Sequence, residues 1–278
     1  MKPRALLPLA TYPDASADTV PGYAISVAKQ LDADVHALAL VADIPDVANA
    51  LSRVLLKLPE MIREAEATSA KRAAHLLDAV KREAAASGVT ATTGEIRGET
   101  ALLADEAAVN ARYFDLSIIG LEAGNDTSRM IAEAVVFGSG RPTLLLPEQR
   151  KTGAIEHVAI AWDGTRVAAR AVADARMFLA RANQITVLTI LDEKPLNEKN
   201  AGERLAQDLQ SRGLPAKAAS IHAEDCPIAE TLQRKAVELG CDLLVMGGYG
   251  HSRLRDFVLG GATEGVLGDL RLPTLMAH

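Results

Sequence analysis

At 278 residues the chain is long for one domain and has enough material for two with substantial cores. Hydrophobic residues make up 49% of it and aromatic residues only 3%, so the interiors must be alanine, leucine and valine, and the aromatic platform that stacks single-stranded nucleic acid is lacking. Lysine plus arginine number 30 against 36 aspartates and glutamates, and a formal charge of -6 argues against duplex DNA or an anionic membrane as the main partner.

The apolar stretch 5–10 is too short for a signal peptide, and no run approaches the roughly 18 apolar residues of a membrane span. Cys226 and Cys241 have neither disulfide-framework nor metal-ligand spacing. The expectation is a cytoplasmic protein with no metal centre.

In chain order, the pattern predicts a strand at 5–10, a helix at 20–31 and a strand at 34–40. A long stretch, 47–87, keeps a mostly helical period through Leu51, Val54, Leu55, Leu58, Ile62 and Ala65, with Pro59 interrupting it. Strand 90–96, helix 99–111, strand 115–120, helix 128–137 and strand 143–146 follow, and the polar stretch 148–153 reads as a linker. The second half continues with strand 157–162, helix 166–182, strand 184–191 and a helix near 199–211 that Gly213 and Pro215 end. Then come strand 216–223 and helix 227–239, with Pro227 in its first turn. The apolar run 242–246 is a buried parallel strand, 263–270 a helix despite two glycines, and 272–277 the last strand.

One unit is written twice. Residues 113–120 (YFDLSIIG) parallel 240–247 (GCDLLVMG), 141–146 (RPTLLL) parallel 272–277 (LPTLMA), and 34–40 parallel 184–190. Strands that alternate with helices imply right-handed crossovers and a parallel sheet covered on both faces. The expected fold is therefore α/β, with two tandem doubly wound domains, 1–148 and 154–278, each a five-stranded parallel sheet with helices on both faces.

Between the strand at 242–246 and the next helix lies a glycine-rich stretch, 247–263. Strand, glycine loop, helix is the order that aims backbone N–H groups at an anion beyond the strand's carboxyl end. Gly247 and Gly250, and then Gly260 and Gly261, would let the main chain approach a phosphate; Arg253 and Arg255 would add charge-assisted bonds. The chain has no Gly-Lys pair for a Walker-type loop, and a dinucleotide fingerprint would sit in the first strand-to-helix turn.

The spacing Gly-x2-Gly-x9-Gly at Gly247, Gly250 and Gly260 resembles the ATP-binding signature of the universal stress protein family, and the layout of the whole chain resembles a tandem member of it. The signature ends in Ser or Thr where this chain has Gly261, which removes one hydroxyl from the phosphate site; Thr263 is the nearest substitute. The resemblance implies an adenine-nucleotide α-hydrolase-like fold that binds ATP or AMP, with or without magnesium, in the second half. It assigns Asp163, in Asp163-Gly164-Thr165 after the first strand, to the adenosine, with a helix cap as its other role. It places Val187 near the adenine, although a core valine is the stronger reading. Trp162, Met246, His251, Ser252, Arg253, Ala262 and Thr263 complete the expected nucleotide contacts.

The first half lacks this equipment. Its first strand runs into Thr11-Tyr12-Pro13-Asp14, and its short loop after Gly120 carries Glu122 and Asp126, which would repel phosphate. Support, dimerisation or regulation is the expected role of that half, through a homodimer or by pairing of the two halves within one chain. The expected function is a nucleotide-binding regulator of the stress-response type. The alternatives are an interaction protein of the same fold that binds no nucleotide and, lower, an ATP-using enzyme; no residue demands ATP hydrolysis.

Overall fold

Strand β1 (Arg4–Ala10) shows why the elements form where they do. Its residues after Arg4 are all buried, so no polar alternation interrupts them, as a central parallel strand requires. It lies between β2 (Asp34–Asp43) and β4 (Leu116–Leu121), parallel to both. Its pairing with β4 covers only Ala5 and Leu6 and stops short of Pro8, which has no N–H to continue a ladder.

The computed structural model describes residues 2–45, 58–148, 153–192, 200–223, 225–248 and 261–278. The chain divides into the units Met1–Ser139 and Gly140–His278. The first carries strands in the order β3-β2-β1-β4, with β3 at Ala91–Glu99. Helices α1 (Val20–Leu31) and α2 (Leu58–Ser87) pack together, and α3 (Leu103–Ala111) packs on α4 (Asp126–Gly138). Right-handed crossovers put these two pairs on opposite faces of the sheet. Pro59 sits in the first turn of α2, where its missing N–H has no intrahelical partner to lose, so the helix runs on for 30 residues. The helical pattern at 47–57 lies outside the described residues.

The second unit has the order β5-β10-β9-β6-β7-β8. Strands β6 (His157–Ala161), β7 (Gln184–Ile190), β8 (Ala216–Ile221), β9 (Leu243–Gly247) and β10 (Thr274–Ala277) form the five-stranded parallel repeat. Strand β5 (Thr143–Pro147), the last of the first repeat, joins β10 antiparallel, Leu144 opposite Leu275. The division therefore falls ahead of the polar stretch 148–153. Helices α5 (Arg166–Asp174), α6 (Arg176–Leu179), α7 (Ala201–Ser211), α8 (Ile228–Glu238) and α9 (Gly261–Gly268) complete it, with α8 against α9. The single helix expected over 166–182 is broken at Ala175, whose ψ of 0° departs from the helical value.

The aspartates of the repeated motif do equivalent work at the amino edge. Asp115 accepts from Arg4 N at 2.9 Å, and Asp242 accepts from Glu156 N and His157 N at 3.0 and 2.9 Å. Each ties the strand it precedes to the start of that repeat's first strand, β1 or β6.

Each unit also holds a histidine near this edge. Burial, and then the charge of Arg4, push His36 below the ordinary imidazole value; burial, and then Lys217, do the same to His157. His157 Nε2 lies 2.8 Å from Thr186 Oγ1 and 2.9 Å from the Gln184 amide nitrogen, so it accepts, as only a neutral ring can. The unfolded chain takes up these protons near pH 6.5 and the folded one only lower. Stability is thus complete above about pH 6.5 and declines as pH falls below it. Urea midpoints at pH 7.5 and 5.5 check this: the midpoint drops for the native chain and drops less for a His36→Asn/His157→Gln double variant.

Candidate functional site

Strand order dictates where a ligand goes. From β6 the chain moves to β7 and β8 on one side and then crosses to β9 on the other, so the switch point is the gap between β6 and β9. Ligands of open α/β sheets bind there, past the carboxyl ends. The β6 end carries Trp162, Asp163, Gly164 and Thr165, and the β9 end leads through Gly247 and Gly248 into the glycine-rich stretch.

After β6 the chain makes a tight turn. Gly164 has φ +74°, which a side chain would strain. Thr165 is the N-cap of α5, its Oγ1 accepting from Ala168 N at 3.3 Å. Asp163 is therefore not the cap. Its Oδ1 accepts from Thr165 N at 3.0 Å and from Thr165 Oγ1 at 2.7 Å, so it positions the residue that is. Trp162 stands between two hollows, its backbone N–H donating to Leu188 O at 2.8 Å. The smaller, about 420 Å³, is bounded by Trp162, Asp163, Gly164 and by Ala201, Arg204 and Leu205 of α7. The larger, about 560 Å³, runs between α5 and α7 and is lined mainly by apolar groups such as Val172 and Leu209. The buried Nε1 of Trp162 has no hydrogen-bond partner among the described residues.

At the β9 end Gly247 has a packing reason to be glycine. A Cβ there would lie 2.7 Å from the carbonyl carbon of Val167 and 2.8 Å from Ala168 N, so the glycine admits the first turn of α5 against the strand. Gly120 at the end of β4 is its counterpart: a Cβ would collide with the side chain of Val20, at the start of α1. Gly248 N donates to Ala277 O at 2.8 Å. Gly250, His251, Ser252, Arg253, Arg255 and Gly260 lie outside the described residues. Gly261 opens α9, and an added Cβ would meet nothing within 4 Å, so packing does not enforce the missing hydroxyl. Ala262 is half-buried, and Thr263 is only 3% exposed.

Met246 pairs with Met276 and is buried. Val187 is fully buried in the middle of β7, paired to Ile160 and Ala218, with α7 pressed over this strand at Gly202. It lies in the core, and the strand runs three residues beyond it before its edge opens. Arg204, which the sequence reading did not single out, borders the hollow beside Asp163. A charged residue on an exposed helix face carries no sequence signal of that placement. Cys226 stands just ahead of α8, its Sγ 3.2 Å from Thr231 Oγ1. Among the described residues there is no cluster of three or more metal-ligating side chains, and no helix is long and apolar enough to cross a membrane.

Residues 154–278 match the universal stress protein family model. No curated protein matches the sequence. Among solved structures, a universal stress protein from Archaeoglobus fulgidus DSM 4304 is similar over 99% of this chain and 97% of its own, at 16% identity and a TM-score of 0.72. A functionally unknown protein from Pseudomonas aeruginosa PAO1 is similar over 99% of this chain and 92% of its own, at 16% identity and a TM-score of 0.57. A universal stress protein in complex with cAMP aligns with 45% of this chain and 99% of its own, at 18% identity and a TM-score of 0.36. At such identities the full-length similarities speak for the fold, while the family match speaks for the second half. The chain is a two-domain α/β protein with a tandem fold found in universal stress proteins, and its residues 154–278 match the model of that family.

Proposed function

We propose that the second unit binds an adenine nucleotide, ATP or AMP, at the β6–β9 switch point, and that the protein acts as a nucleotide-responsive regulator in the cytoplasm. One observation carries this reading: the two strand ends that meet at the switch point are those bearing Asp163-Gly164-Thr165 and the Gly-x2-Gly-x9-Gly stretch. Asp163 keeps its carboxylate at the edge, half-exposed, where it can accept from ribose hydroxyls or the adenine amino group. Trp162, Gly164 and Arg204 wall the adjoining hollow, whose volume suits part of a small ligand. The phosphates fall to the glycine stretch 247–261 and its arginines, Arg253 and Arg255. Gly247 contributes through strand–helix packing, and Val187 and Met246 form the floor of the core beneath.

The reading is one of binding. The test is the adenine content of protein purified without added nucleotide: mass spectrometry of the denatured supernatant should find ATP or AMP. Protein that carries none and takes up none on incubation would refute the reading.

A further inference from the structure

The β1–β4 crevice of the first unit is the counterpart of the β6–β9 switch point, because the order β3-β2-β1-β4 reverses direction there too. The chain's own side chains fill it. Glu122, the first residue after β4, turns inward: its Oε1 accepts from Ala17 N at 2.6 Å and its Oε2 from Asn125 Nδ2 at 2.8 Å. Ala17 lies two residues before Thr19, the N-cap of α1. Asn125 is the N-cap of α4, its Oδ1 accepting from Ser128 N at 2.8 Å, and its amide also donates to Ala15 O at 3.4 Å. One carboxylate thus bridges the two loops at the starts of the two helices that flank the switch point, where backbone N–H groups and helix dipoles favour an anion.

Helix α2 fills the rest of this edge. Ser69, fully buried, is within 2.6 Å of Thr11 Oγ1 and accepts from Ala42 N at 2.9 Å. Arg72 donates to Ser16 O at 3.0 Å and pairs with Asp18 at 2.7 Å, and His75 is 3.2 Å from the same carboxylate oxygen.

We infer that Glu122 is the first unit's resident anion: its carboxylate takes the place that a ligand's phosphate takes in the glycine-rich copy. The first unit is therefore held in a ligated arrangement by the protein itself, and the chain pairs one responsive site with one permanently occupied. Naming phosphate as the group replaced rests on the nucleotide reading above, whereas the occupied anion site rests on the Glu122 contacts alone.

Chemical rescue in the full-length protein tests it. Glu122→Ala should lower the melting temperature in chloride buffer, and inorganic phosphate at matched ionic strength should restore at least half of the loss. The same phosphate should shift the native chain much less, which discounts any phosphate taken up by the second unit. Glu122→Gln, which still fills the space, should also melt lower but gain nothing more from phosphate than the native chain does. If Glu122→Ala does not fold in chloride, its refolding yield in phosphate against chloride gives the same readout. A Glu122→Ala protein that melts like the native chain, or whose loss phosphate and chloride treat alike, would overturn the inference. Failure of the nucleotide reading would instead appear as absent ATP binding to the native chain, with the rescue intact.

Discussion

Gly247→Ala is expected to destabilise the second unit by roughly 3 kcal/mol, at the upper end of the usual cost of overpacking a core. The obstacle decides the size. The new methyl group would sit 2.7 Å from the Val167 carbonyl carbon and 2.8 Å from Ala168 N, both backbone atoms of a capped helix that cannot rotate away. Relief requires α5 to lift off β9, against which it packs. Gly120→Ala is the natural control. Its collision is with the Val20 side chain, which can change rotamer, so a loss of about 1 kcal/mol is expected there. Urea unfolding of each variant checks the order of the two effects; a neutral Gly247→Ala would show that α5 does not pack as closely as described.

Gly250→Val should reduce ATP affinity at least about 100-fold, a loss of roughly 2.7 kcal/mol, with little change in the unfolding midpoint. The mechanism differs from that at Gly247. On the proposed reading Gly250 belongs to the phosphate-binding stretch, where a β-branched side chain would block the approach of main-chain N–H groups to phosphate. The contrast between the two glycines separates folding from binding: one substitution moves stability and the other affinity. Calorimetric titration of both variants with ATP reads this directly, and unchanged affinity of Gly250→Val would remove the phosphate-loop assignment.

The strands were legible because most are buried on both faces, so apolar runs such as 5–10 and 242–246 announced themselves without any periodicity. The repeat was legible for a similar reason: the Asp115 and Asp242 motifs join a buried strand to a carboxylate that anchors the amino edge. Other features were set by tertiary contacts that leave no local trace. The antiparallel pairing of β5 with β10 depends on which edge meets which, and Leu144 looks the same in either direction. Gly247 was read as a phosphate glycine because sequence shows that a Cβ is unwanted but not what would collide with it. Val187 and Thr263 were placed at the site by analogy, and their deep burial leaves no trace in the local sequence. Glu122 was expected to repel an anion; instead it takes an anion's place, a role visible only once the Ala17 and Asn125 contacts are known.

The chain is proposed to carry one responsive site, in the second unit. Equilibrium dialysis of the full-length protein against ATP tests it most directly. The native protein should saturate at one ATP per chain, with Gly250→Val largely empty at the ATP concentration that saturates it; two per chain, or undiminished binding by the variant, would contradict this.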